Sequence, residues 1–193
     1  MSKRHDLRIR TARLELIAAT LELTDLELRG VGNLIGELNC DPPEDWPPPL
    51  NDENSQRWFL GMLEREPAAA GWGLWYIVRD EPGAPRVLIG NGGFKGRPAE
   101  GSCEIGYSLL PAHQRRGYAT ETARALVNWA FEHPEVHRVL AETLPELTSS
   151  IRVMEKCGMR FVGDGVAEEG QRTVRYQIAR AESVSNRGDG GAG

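Results

Sequence analysis

Cysteine is scarce in this chain and unclustered. Three residues, Cys40, Cys103 and Cys157, are scattered through 193 positions. There is no CxxC pair and no Cys/His group at zinc-ligand spacing. An odd count without a framework fits reduced thiols in a cytoplasmic setting. Histidine is equally thin, with four residues. His133 and His137 are four apart, but Pro134 between them breaks the helix such a pair would need, so no metal is expected. Positive charge is outnumbered: 23 Lys and Arg face 28 Asp and Glu, for a net charge of -5. Proteins that grip nucleic acid by its phosphates are normally basic, so a nucleic-acid partner is not expected. Long apolar runs are missing too. None is long enough to span a bilayer, and the opening MSKRHDLRIR lacks the apolar stretch of a signal peptide. No membrane partner is expected.

What is present is ordinary for a globular domain: 40% hydrophobic and 26% charged residues. One domain is expected over residues 8–182, followed by a disordered Gly- and Ser-rich tail, 183–193. RLELI, residues 13–17, alternates as a first strand. Leu23 to Leu38 carries apolar residues at helical spacing, with Thr24 and Asp25 as candidate caps. Gly30 and Gly32 weaken it midway, leaving one long helix or two short ones. DPPEDWPPPL, residues 41–50, holds five prolines and forbids helix or central strand. Residues 51–66 read as an amphipathic helix burying Trp58, Phe59, Met62 and Leu63. GWGLWYIVRD, RVLIGNGGFKG and GSCEIGYSLL then read as an antiparallel meander.

The clearest helix is Tyr118 to Phe131, with Ala119, Ala123, Leu126, Val127, Ala130 and Phe131 on one stripe. HRVLAETL is a further strand. Ser149 to Cys157 is a short helix closed by Gly158. MRFVGDG and RTVRYQIA form a final hairpin with EEGQ at its tip. The fold class is therefore α/β or α+β, with helices covering a central sheet.

Residues 114–120, Gln114-Arg115-Arg116-Gly117-Tyr118-Ala119-Thr120, link a strand to that helix. Backbone N–H groups at a helix start are unpaired and carry partial positive charge. Small residues there let a pyrophosphate approach the backbone. Gly117 and Ala119 supply the smallness, and Arg115 and Arg116 add charge. The alternative is a tight turn that binds nothing. The loop is neither Walker A nor GxGxxG.

QRRGYA resembles the Q/R-x-x-G-x-G/A signature of the GNAT superfamily of N-acetyltransferases. EIGYSLLPAHQRRGYATETARALVNWAF is similar to the acetyl-CoA core of the branch holding ribosomal-protein N-terminal acetyltransferases. TSSIRVMEKCGMRFVG resembles that branch's second CoA-side motif, N-x-x-S-x-x-V-x-E-K-x-G-F. The resemblance implies a GNAT fold: a mostly antiparallel mixed sheet of six to seven strands, splayed at the cofactor site and flanked by about four helices. It implies acetyl-CoA as co-substrate and an amine as acceptor, held in a ternary complex. It implies cofactor contacts from Gln114, Arg115, Arg116, Gly117, Tyr118, Ala119, Thr120 and Ser150, and backbone donors at Leu109 and Leu110. Homodimers are common in the branch. One departure is Leu147, where the branch commonly has Asn. Another is Met154, where some relatives carry a tyrosine acid.

Acetyl transfer to an amine needs a base for the amine proton, donors for a developing oxyanion, and help for the departing thiolate. On a strand, Glu104, Gly106 and Ser108 share one face. Glu104 is therefore the first candidate base, and an ion-pairing role is its alternative. Glu142 is a weaker candidate. Ser150 is the available hydroxyl; it serves as acid, cofactor contact or helix cap. Glu121, in the first helical turn, is assigned no chemistry. Trp46, Trp72 and Trp75 shape an acceptor pocket or pack as core. An acyl-CoA-binding module without catalysis is the alternative function.

Overall fold

The computed structural model of the chain describes residues 7–180, except 44, 50, 52, 168 and 169. The tail over 183–193 and Glu168 and Glu169 of the hairpin tip lie outside the described residues.

Among the described residues eight strands form one sheet in the order β1-β2-β3-β4-β5-β6-β8-β7. They are β1 Arg8–Arg10, β2 Leu14–Ala18, β3 Leu74–Arg79, β4 Val87–Phe94, β5 Ser102–Leu109, β6 Arg138–Thr143, β7 Arg160–Val166 and β8 Arg172–Ala179. Every pairing is antiparallel except β5 with β6. That one is parallel because the β5 to β6 connection is a crossover through a helix. The strand count exceeds the expected six to seven because β1 has only three residues, too few for alternation to show.

Among the described residues five helices cover the sheet: α1 Leu21–Leu28, α2 Val31–Leu38, α3 Glu53–Arg65, α4 Tyr118–Ala130 and α5 Thr148–Lys156. The long helix expected over residues 23–38 is two helices. Thr20, not Thr24 or Asp25, caps the first, its hydroxyl accepting from the Leu23 N–H at 3.2 Å. Gly30, at φ +125°, opens the second. Few residues other than glycine tolerate that angle.

The sheet alternation sends side chains into two cores. On one face, Trp75 and Ile77 of β3 meet Leu126, Trp129 and Ala130 of α4. On the other, Tyr76 and Val78 meet Leu23, Leu34 and Leu38 of α1 and α2 and Phe59 and Leu63 of α3. Trp58 is an exception to the expected α3 face, being 60% exposed. Trp72 and Trp75 are buried against Trp129, with ring centroids 4.7 and 5.3 Å from it. Of the two readings given for them, packing as core is the one they take: both lie on the α4 face.

Candidate active site

The ladder between β5 and β6 stops early. It runs for four pairs, from Ser102↔Arg138 to Ile105↔Ala141. On its other edge β5 stays paired with β4 as far as Gly90↔Leu109. The β6-facing edge of Gly106–Leu109 is therefore unpaired, and a gap opens in mid-sheet. The Leu110 N–H donates to the Ile89 carbonyl at 2.9 Å. Antiparallel ladders alternate, so Leu109 turns its own N–H and C=O to the opposite edge, into the gap. The Gln114 side chain confirms the direction by donating to the Leu109 carbonyl at 2.9 Å. Of the two expected backbone donors, the Leu110 amide is committed within the sheet. Leu109 keeps its N–H toward the gap.

The chain then makes a short 3₁₀ turn, Pro111–His113, and enters α4 through Gln114, Arg115, Arg116 and Gly117. Arg115 (φ 62°) and Gly117 (φ 85°) are both left-handed. No side chain caps α4. Its first helical bond runs from the Glu121 N–H to the Gly117 carbonyl at 3.0 Å. The N–H groups of Tyr118, Ala119 and Thr120 thus precede the helical ladder. Arg115 and Arg116 are exposed beside them. The Tyr118 ring is buried, with its hydroxyl donating to Glu81 at 3.0 Å, so only its backbone faces outward.

The opposite face of β5 carries the polar side chains. Glu104, Gly106 and Ser108 do share it, as the alternation requires. Ser108 donates to the Pro49 carbonyl at 2.7 Å, and its cross-strand neighbour Asn91 donates to Asn51 at 3.1 Å. Together they seat the Pro-rich segment on the sheet. Two residues along from Ser108, a side chain at Gly106 would meet open space. Two further along, Glu104 is in contact with the Lys95 ammonium. Gly106 is thus a bare position on this face, with Ser108 and the Pro49 carbonyl on one side and Glu104 and Lys95 on the other. Glu142 on β6 faces the same side. It accepts from Thr173, and from Arg175 Nε at 2.9 Å. Burial alone would raise the Glu142 carboxyl, but the Thr173 and Arg175 donors outweigh it and hold it below its usual range.

A family model described as an acetyltransferase (GNAT) domain matches residues 13–160. This chain belongs to the GNAT acetyltransferase family. It is 29% identical over 153 residues to the uncharacterized N-acetyltransferase YjdG of Bacillus subtilis (strain 168), covering 78% of this chain and 88% of that protein. The GNAT-family acetyltransferase of Bacillus anthracis superposes with a TM-score of 0.60 at 24% identity, over 90% of this chain and 98% of that one. RimL, a ribosomal L7/L12 α-N-protein acetyltransferase solved with coenzyme A, superposes with a TM-score of 0.63 at 17% identity, over 90% and 98%. The chain is accordingly an N-acetyltransferase of GNAT fold.

In this GNAT chain the second motif starts α5 on the far side of the gap. Leu147 precedes the helix, and its apolar side chain offers no cap. Ser150 lies inside the first turn, its N–H donating to the Leu147 carbonyl at 2.9 Å, so it does not cap the helix. Tyr107, on the α4 side of β5, donates its hydroxyl to the Ser150 carbonyl at 3.2 Å. This strap between strand and helix was not legible in the sequence, because it depends on where α5 docks. Met154 is buried core. Burial pushes the thiols up, Cys103 to about 12 and Cys40 and Cys157 to about 11. None of the three is a ready nucleophile.

Proposed function

We propose that this GNAT enzyme transfers the acetyl group of acetyl-CoA to a primary amine, a protein N-terminus or a small-molecule amine, by direct attack in a ternary complex. The observation that carries the reading is the unpaired edge of β5 lying beside the uncapped start of α4. One offers a slot for an extended pantetheine arm and the other offers N–H groups for a pyrophosphate. These features fit the group: a left-handed glycine without a Cβ, exposed arginines, and backbone donors that precede the helical ladder.

Acetyl-CoA supplies an activated acyl group as a thioester. The residues of the chain do the rest. Gln114, Arg115, Arg116, Gly117, Tyr118, Ala119 and Thr120 hold the phosphates, Tyr118 by its backbone. The Leu109 N–H points into the gap, where it can donate to the thioester oxygen as negative charge develops. Ser150, at the opposite wall, contacts the pantetheine side. Glu104 takes the amine proton, directly or through water. Lys95 holds that carboxylate until an acceptor ammonium replaces it. The open space at Gly106 leaves room for the acceptor chain. Residues 8–182 form the catalytic domain, and no helix among the described residues is long and apolar enough to cross a membrane, which is compatible with work in the cytoplasm.

The test is calorimetric titration with acetyl-CoA of the wild type and a Gly117→Glu variant, followed by an amine panel read by free-thiol release. Micromolar binding lost in the variant, with turnover of an amine, supports the proposal. Binding without turnover of any amine points instead to an acyl-CoA-binding module. No binding by folded wild type sinks the donor assignment.

A further inference from the structure

One arginine from the other end of the chain reaches the phosphate loop. Arg13 sits in the turn between β1 and β2. Its Nη1 donates to the Arg116 carbonyl at 3.0 Å. Its Nε and Nη2 donate to Glu121 at 2.8 and 2.7 Å, and its backbone N–H reaches the same carboxylate at 2.9 Å. Thr11 completes the Glu121 site with a 2.6 Å hydrogen bond. The guanidinium also lies over the Tyr118 ring, 4.6 Å from its centroid. A Cβ at Gly117 would come within 3.2 Å of Nη2. The side chain therefore touches the loop at Arg116, at Tyr118 and at Glu121, and closes over Gly117.

A trans peptide points its C=O and N–H to opposite sides. Fixing the Arg116 oxygen on Arg13 therefore turns the Gly117 N–H away from Arg13, to the other side of the loop. Gly117, on one side of that peptide, is left-handed; turning the peptide over changes ψ of Arg116 and φ of Gly117 together, and glycine accepts either sign of φ, so nothing in the backbone itself forbids the reversed orientation. In the reversed orientation a carbonyl oxygen would face an incoming phosphate. Glu121 holds the guanidinium from behind and neutralises its charge, so what Arg13 gives the loop is direction more than net charge.

We propose that Arg13 is a positioning residue for the donor: it locks the peptide between Arg116 and Gly117 with its N–H available to the pyrophosphate. This rests on reading that loop as the pyrophosphate site. Arg13 touches no reacting atom, so its loss weakens donor binding and leaves the chemical step alone.

The experiment uses full-length wild type, Arg13→Met and Arg13→Lys with two donors: acetyl-CoA, and S-acetylpantetheine, which lacks the pyrophosphate. Arg13→Met is expected to raise KM for acetyl-CoA about tenfold, the worth of one hydrogen bond from a charged donor. Its kcat is expected to be unchanged, and so is its kcat/KM with S-acetylpantetheine. The penalty persists at high salt, because a reoriented dipole is not screened as a distant charge is. Arg13→Lys, which keeps a cation against Glu121, falls between the two. If Arg13→Met does not fold, Arg13→Lys alone must still show the split between donors. Wild-type affinity in a folded Arg13→Met overturns the proposal, as does an equal loss on both donors, which marks a general structural role. Wild type that fails to bind acetyl-CoA overturns the pyrophosphate reading, and this one with it.

Discussion

At the scale of single residues, Glu104 and Gly106 do different jobs on one face of β5, and the difference is measurable. Replacing Glu104 with Gln removes the proton acceptor while keeping the shape. The expected result is a fall in kcat on the order of a hundredfold, with the acetyl-CoA Kd unchanged in calorimetry; equal kcat would leave Glu104 a mere ion-pair partner of Lys95. Replacing Gly106 with Val fills open space beside Glu104. Acceptor KM is expected to rise while donor Kd and Tm stay put, since a strand readily accepts valine. Sequence alternation alone placed Glu104, Gly106 and Ser108 together, because parity along one strand is a local property. Parity could not separate Leu109 from Leu110 as donors. Which of two neighbouring amides faces the gap depends on the register with β4, and that is set by residues far along the chain.

Among the elements, the Pro-rich segment is the one whose role the sequence left open. Trp46 packs partly buried against the α1–α3 core and donates its indole N–H to Glu27 at 2.9 Å. Glu27 is 5% exposed and also accepts from Tyr76 at 2.7 Å and Gln56 at 2.7 Å. Burial pushes its carboxyl above the usual value of 4.5, and these three donors pull it partway back. The segment is therefore pinned at one end by a buried carboxylate and at the other by Ser108 and Asn91. Trp46→Phe keeps the packing and drops the hydrogen bond, which is expected to cost about 1–2 kcal/mol in denaturant unfolding; an unchanged midpoint would show that the contact holds nothing. Helices α3, α4 and α5 and the final hairpin were legible from periodicity and stop signals. The break at Gly30 was half legible, since two glycines weaken a helix without saying where it divides. Strand β1 was not, being stabilised by its pairing with β2 and not by its own pattern.

Across the whole molecule, acid stability rests on a few carboxylates. Glu15 is 1% exposed. Burial alone would raise its carboxyl, but hydrogen bonds and charge from Arg86 and Arg8 outweigh that and hold it below 4.5. Glu121 is likewise opposed by burial and held low by Thr11 and Arg13. A folded-state value below the unfolded one contributes stability above 4.5 that is lost as pH falls through the folded value. Tm is therefore expected to drop as pH falls below 4.5, and Glu15→Gln, less stable near neutrality, should converge on wild type in acid. A gap that widened in acid would assign the lability elsewhere. The three thiols have values of about 11 to 12, so alkylating reagents at neutral pH are expected to leave activity intact; rapid inactivation would bring a cysteine back into the chemistry.

The early end of the β5–β6 ladder has a mechanical meaning as well. Strands β1 to β5 and strands β6 to β8 are joined over only four pairs, like a zipper left partly open. An extended ligand arm lying in the opening would supply the missing rungs, hydrogen-bonding the β5 edge as a ninth strand would. On the proposed function, the donor would brace the two halves against each other while it delivers its acyl group. Amide exchange at Tyr107 and Leu109, whose N–H groups face the opening, should then slow when the arm binds and quicken when it leaves.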